Sequence, residues 1–251
     1  IVGHGQVAIV DPGPDLAEHV DALLDAIRGE TVSHILVTHT HNDHSPAVKA
    51  VQAATGAPSY AYGPHGTRPE DGASEGGADY DFSPDHLIDD GDVVTGNGWS
   101  VEAVHTPGHC SNHLCFALQE ESTLLCGDHV MGWSTSIVSP PDGDMAAYMA
   151  SLEKVGRHAS ARYFPTHGGP IDDPKPYVAA LLAHRHERED QIMAELAAGP
   201  VTIAEMVPRM YANVDPKLYP AAARSVLAHL LHMVETERVK ADGDVYRLVT
   251  G

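Results

Sequence analysis

Three imidazoles and a carboxylate fall within six residues: His39, His41, Asp43 and His44, in the string Thr38-His39-Thr40-His41-Asn42-Asp43-His44. Neutral imidazole is the commonest metal ligand. Each of these side chains alone reads as an ordinary core or surface residue, but the whole HxHxDH string is hard to explain that way. Alternate residues of an extended segment share a side, so His39 and His41 can approach one metal together. Asp43 and His44 then turn toward a second position beside it. Further residues of the same chemistry follow: His109 in His105-Thr106-Pro107-Gly108-His109, Asp128 in Cys126-Gly127-Asp128, and His167 in Thr166-His167-Gly168. They supply the partners that a two-metal site requires.

The elements that must position these residues follow from periodicity and punctuation. Residues 7–10 are a short buried strand ended by the turn Asp11-Pro12-Gly13-Pro14. Asp15 with Glu18 resembles a capping box for a helix that stops at Gly29. Residues 33–37 form a second strand, and the ligand string sits on the loop leaving it. Ser45 as N-cap and Pro46 as first helical residue predict a helix through Thr55 to Gly56. Residues 63–92 carry nine acids (Glu70, Asp71, Glu75, Asp79, Asp81, Asp85, Asp89, Asp90 and Asp92) against Arg68. They read as a long surface connection with a solvated face, or else a lid, and His65 and His86 within it read as solvated. Strands follow at 93–94, 100–104, 114–118 and 123–125, a helix at 145–157, and a strand at 162–164 before Pro165-Thr166-His167-Gly168. After Pro174 the pattern changes: one long helix to Gly199-Pro200, a capping box at Thr202 and Glu205, a helix over 221–237, and a hairpin around Asp242-Gly243.

The chain has 251 residues, room for one large core and a small appendix at ~100–200 residues per domain. Its 43% hydrophobic content argues against wholesale disorder, and no run of ~18 apolar residues could span a membrane. Thirty-five acids against 15 Lys and Arg give a net charge of −20. Residues 1–173 hold six bases and 25 acids, whereas 174–251 hold nine and ten. Such a field repels phosphate backbones and anionic lipid. Cys110, Cys115 and Cys126 form no CxxC pair, so neither a disulfide framework nor a zinc finger is expected, and a reducing, cytoplasmic setting fits best. The first residue is Ile1, inside what reads as paired strands, which leaves upstream sequence, a removed signal peptide included, open.

HxHxDH, HTPGH, GD and PxHG, in this order and each after a strand, resemble the metallo-β-lactamase fold family over residues 1–173. The resemblance implies an α/β fold, an αββα sandwich, with N-terminal strands missing. It leaves residues 174–251 as a long helix plus a winged-helix-like α+β appendix. It places His39, His41 and His109 on a first metal, Asp43, His44 and His167 on a second, and Asp128 between them. Nitrogen and oxygen ligands suit two Zn²⁺, with Mn and Fe as open alternatives, whereas an all-oxygen site would suit magnesium or calcium. Two such metals ~3.5–4 Å apart lower the pKa of a shared water to about 7, and the resulting hydroxide needs no Ser or Cys nucleophile. Asp43 is the candidate for orienting that water and relaying its proton. The set is complete without Cys110. His113, Met131 and Trp133 are candidate substrate contacts, His105 and His129 candidate structural neighbours.

Fold membership does not fix the substrate. Met131 stands where the lactonase branch has a tyrosine, and Pro-Thr-His-Gly-Gly-Pro differs from the final motif of glyoxalase II. Over the full length the chain resembles the lactamase-like endoribonuclease subgroup with a winged-helix tail. The charge argues against transferring RNA cleavage, although Arg185, Arg188 and Arg224 would offer a local basic patch. The expected function is therefore a dinuclear zinc hydrolase of a small carbonyl substrate: an ester, thioester or β-lactam amide. Cleavage of single-stranded RNA is the alternative, and a winged-helix nucleic-acid binder with a metal-sensing domain the further one. The helix over 221–237 has Arg224 as its only base, which disfavours duplex binding and leaves the tail for packing, walling the site or forming a homodimer.

Overall fold

The computed structural model describes residues 1–67 and 77–249. The chain begins with β1 (Gln6–Val10), α1 (Ala17–Ala26), β2 (Thr31–Leu36), α2 (Val48–Thr55), β3 (Ser59–Ala61) and β4 (His86–Leu87). These strands pair side by side in that order, all parallel. Next come β5 (Val93–Gly96), β6 (Trp99–His105), β7 (Leu114–Leu118), β8 (Thr123–Gly127), α3 (Met145–Gly156) and β9 (Arg162–Pro165). They make a second sheet, antiparallel through β8, with β9 parallel to β8 across the α3 crossover.

The two-residue period of each strand builds the layers. Val7, Ile9 and Ile35 face α2 through Val48 and Val51. Ala8 and Leu36 face the other way, onto Val101, Ala103, Leu114 and Phe116 of the second sheet. Cys115, Ala117, Leu124 and Cys126 then pack against Tyr148, Leu152 and Val155 of α3. Helix, sheet, sheet, helix is the expected αββα sandwich. All three cysteines are buried and free.

The tail comprises α4 (Pro174–Ala197), β10 (Val201–Thr202), α5 (Ile203–Met210), α6 (Tyr219–Glu235), β11 (Val239–Asp242) and β12 (Val245–Leu248). Ile192, Met206, Val226, Leu230, Met233 and Tyr246 give it a separate core under the sheet β10-β12-β11. The Thr202–Glu205 capping box is present as expected. Among the described residues no helix is long and apolar enough to cross a membrane.

Three local expectations need correction. α1 has Leu16 as its N-cap and no capping side chain. The Leu16 amide turns back onto the Pro14 carbonyl at 2.8 Å, so the helix starts after Asp15 rather than at it. α2 starts at Val48, because the Ser45 hydroxyl donates to Asp79 Oδ2 instead of capping. The acidic connection is stitched into the fold: β4 extends the first sheet, Phe82 is buried, and Asp85 accepts from the Ser59 amide and hydroxyl. Its residues Arg68, Glu70, Asp71 and Glu75 lie outside the described residues.

Two features carry predictions. Gly108 has φ +134°, and a Cβ there would overlap the Cα and N of Tyr148 on α3. Gly108→Ala combines backbone strain with overpacking, roughly 2–5 kcal/mol together, and urea unfolding should read that loss. In the tail, buried Glu189 accepts from His232 Nδ1 at 2.7 Å and Arg238 Nη2 at 2.7 Å, with His229 Nδ1 3.5 Å away. Burial alone would raise its pKa, but these donors hold the carboxyl at about 2, below its ordinary 4.5. A depressed folded-state pKa stabilises fully above 4.5, and the contribution is lost as pH falls toward 2. Between those pH values the melting temperature should fall more steeply in the wild type than in Glu189→Gln; parallel curves would refute the buried ion network.

Candidate metal centre

β6, β8 and β9 run in one direction, so the residues that follow them emerge along one edge of the second sheet. That edge meets the loop leaving β2. There Thr40 and Asn42 are pinned in an extended path by main-chain bonds to Asp79 and Gly77, and the His44 amide then turns back to the His41 carbonyl. This alternation followed by a turn puts His39 and His41 on one side and swings Asp43 and His44 to another. Gly127 has φ +49°, and a Cβ there would lie 2.7 Å from His113 Nε2, so the residue before Asp128 must lack one.

All seven expected residues converge. His41 Nδ1 lies 3.0 Å from both His39 Nε2 and His109 Nε2. His44 Nε2 is 3.5 Å from Asp128 Oδ1 and 3.6 Å from Asp43 Oδ1. His167 Nε2 is 3.1 Å from Asp43 Oδ2 and 3.5 Å from Asp128 Oδ2, and the latter oxygen is 3.9 Å from His109 Nε2. Asp128 thus faces His44 with one oxygen and both His109 and His167 with the other.

Hydrogen bonds behind the cluster decide which ring nitrogens carry protons. The Ile137 carbonyl can only accept, so His109 Nδ1, 2.6 Å away, is the protonated nitrogen and Nε2 presents a lone pair. Thr38 spends its hydroxyl proton on Asp11 Oδ2 at 2.7 Å, so its oxygen accepts from His39 Nδ1 at 3.0 Å. His44 Nδ1 donates to Asp11 Oδ2 at 2.9 Å. His39, His44 and His109 therefore all spend Nδ1 outward and turn Nε2 inward. Buried His44 Nε2 and Asp128 Oδ1 have no hydrogen-bond partner among the described residues. Inward-facing Nε2 atoms, buried polar atoms left unpaired and a nitrogen and oxygen set without thiolate fit a bound transition-metal cation.

The electrostatics agree. Burial, reinforced by neighbouring imidazoles, holds His39 well below the ordinary imidazole range and His41 at about 2. Burial also lowers His109, with Asp128 opposing it. For His44 burial is outweighed by Asp11 and Asp128, which push it up to about 10. The site favours positive charge between those carboxylates, as a proton on His44 or as a cation on its Nε2.

Asp11 escaped sequence reading, where it passed for a turn residue. Its φ of +49°, tolerable for Asp, aims the carboxylate at Thr38 and His44. His65, expected in solvent, is instead folded against the site: Nδ1 is 2.9 Å from Thr40 Oγ1, its ring 5.8 Å from that of His41. Asn112 holds it there by donating to the Gly63 and Pro64 carbonyls. His86 is exposed and stacked on Tyr60.

Among the candidate substrate contacts, His113 is fully buried behind the cluster. Its Nε2 accepts from the Asp128 amide at 3.2 Å and its Nδ1 lies 2.8 Å from Thr106 Oγ1, so it supports Asp128 and offers no face to substrate. Met131 is half-buried, its carbonyl taken by the Tyr177 hydroxyl. Trp133 is 70% exposed, with its ring parallel to that of His167 at 6.0 Å. His105 stacks on Tyr62 and His129 lies against Tyr148. Burial raises the Cys110 thiol well above its ordinary pKa, and the thiol donates to Asn112 Oδ1. In the tail Arg185 is 4% exposed and Arg188 lies over Tyr211, which removes Arg185 from the basic patch considered for RNA.

Residues 1–167 match the family described as Metallo-beta-lactamase superfamily, and residues 202–247 match the Beta-lactamase associated winged helix domain. The chain belongs to the metallo-beta-lactamase superfamily. It is 31% identical over 232 residues to the lactamase-like protein notP of an Aspergillus species, covering 85% of this chain and 66% of that protein. It is 34% identical over 203 residues to an atrochrysone carboxyl ACP thioesterase of Emericella nidulans, covering 78% of this chain and 59% of that protein. The chain thus spans less than two thirds of the length of these two relatives. In fold it is similar to a metallo-beta-lactamase family protein of Thermus thermophilus, with TM-score 0.80 and 24% identity over 99% of this chain and 92% of that one.

Proposed function

We propose that this chain is a dinuclear zinc hydrolase of small acyl thioesters, with oxygen esters and β-lactam amides as weaker substrates. The observation that carries this reading is the convergence of His39, His41 and His109 and of Asp43, His44 and His167, with Asp128 facing His44, His109 and His167. His39, His41 and His109 would hold one ion, Asp43, His44 and His167 the other, and Asp128 both. When bound, the ions supply Lewis acidity toward a carbonyl oxygen and bring the pKa of a water toward neutrality. The protein does the rest. Asp43, half-exposed at the mouth, orients the attacking water and takes its proton on a carboxylate oxygen. Asp11 and the Ile137 carbonyl keep His44 and His109 aimed. Trp133 and Ile137, 70% and 63% exposed beside the cluster, offer apolar surface to an acyl group.

The thioester preference is supported by the relative whose name is a thioesterase. The acid excess of residues 1–173 favours a small neutral carbonyl compound over polyanionic RNA. The zinc-loaded protein should be assayed on an acyl N-acetylcysteamine thioester, the matched oxygen ester, nitrocefin and single-stranded RNA. Highest kcat/KM on the thioester is expected. RNA cleavage without thioester turnover would overturn the assignment.

A further inference from the structure

We infer that Arg185, on α4 and outside the donor cluster, is a positioning residue for the metal centre, acting through Ser136. This rests on the metal-centre reading above. Arg185 Nη2 donates to the Ser136 carbonyl at 2.5 Å, and its guanidinium lies 5.0 Å over the Tyr148 ring. Ser136 is itself buried, and its hydroxyl reaches two carbonyls at the end of β8, those of Asp128 and His129. Tyr148 adds a second hydroxyl to the His129 carbonyl at 3.1 Å. The next carbonyl along, that of Ile137, takes the Nδ1 proton of His109. Three consecutive attachments therefore pass through two residues: Arg185 fixes the Ser136 carbonyl, the Ser136 hydroxyl fixes the backbone of Asp128, and Ile137 sets the tautomer and ring direction of His109.

The chemistry of the choice supports a positioning role over simple filling of space. Taking a guanidinium out of water is costly, and here Nε is left without a hydrogen-bond partner among the described residues. An apolar side chain would fill the gap between α3 and α4 without that cost, but it could not hold a carbonyl. The anchor is rigid, because Glu189, one turn further along α4, ties the same helix to His232 on α6 and to Arg238. A second part of the chain thus stiffens two donors that lie on different loops of the first.

The test uses zinc itself, competed against a chromophoric chelator, on the wild type, Arg185→Met, Arg185→Lys and Ser136→Ala, with His39→Ala as a ligand-loss control. Partners behind a metal ligand are worth ~10–100-fold in affinity. Arg185→Met and Ser136→Ala should each weaken zinc binding within that range, lower kcat on the thioester more than they raise KM, and change the ¹⁵N shifts of the His109 ring. Arg185→Lys, which still donates to the Ser136 carbonyl, should restore part of the affinity. Ser136→Ala leaves Arg185 in place and keeps the test sound if Arg185→Met unfolds. Wild-type zinc affinity and unchanged His109 shifts in both variants would overturn the inference. Zinc binding by the wild type no tighter than by His39→Ala would instead overturn the metal-centre reading beneath it.

Discussion

Asp128→Ala is expected to abolish turnover and to release metal, a larger loss than any other single substitution of the cluster. Its two oxygens face three imidazoles, those of His44, His109 and His167, and it is the one donor that both proposed ions would share. Removing it takes away the buried carboxylate that faces all three imidazoles, which raises the cost of collecting positive charge there. The loss should exceed the ~10–100-fold typical of partners behind a ligand. Asp128→Asn sharpens the comparison, since it keeps the volume and one acceptor but not the charge. Metal content by mass spectrometry and turnover, read on the same samples, check both. Retained metal and retained rate in either variant would remove Asp128 from the site.

Asp11→Asn comes second, and it probes a residue that touches no proposed ion. Asn tolerates positive φ as Asp does, so the backbone turn survives while the charge goes. Asp11 accepts from the Thr38 amide at 2.7 Å, the Thr38 hydroxyl at 2.7 Å and His44 Nδ1 at 2.9 Å, and so aims two histidines at once. Zinc affinity should fall by ~10–100-fold. Its pH dependence should change as well. Zinc must displace the proton that Asp11 and Asp128 hold on His44 up to about pH 10, so wild-type affinity rises with pH through neutrality. Without the Asp11 charge His44 loses its proton at lower pH, and the rise flattens. A chelator competition series from pH 6 to 9 measures both effects; identical slopes for the two proteins would refute the linkage.

What the sequence made legible is what depends on short stretches of chain. His39, His41, Asp43 and His44 lie within one extended segment and a turn, so their spacing alone announces shared ligation. The Thr202–Glu205 cap and the Asp242-Gly243 hairpin are local in the same sense. What stayed hidden depends on distant partners. Asp11 meets His44 across 33 positions, and only the parallel pairing of β1 and β2 brings them together. Ser45 fails as a cap because Asp79, 34 positions away, takes its hydroxyl. His65 looked solvated within an acidic run, yet Asn112 draws its segment onto the site. β3 and β4 escaped because two or three residues are too few to show a period, and both residues of β4 are exposed. Arg185 resembled part of a basic patch until its burial was known.

The most direct measurement is thioester turnover by the metal-stripped protein as zinc is added back in known equivalents. Rate should be absent at the start, climb with zinc until two equivalents are bound, and fail to appear in Asp128→Ala at any zinc concentration. Full turnover by the stripped protein, or a rate that ignores added zinc, would contradict the metal-dependent hydrolase.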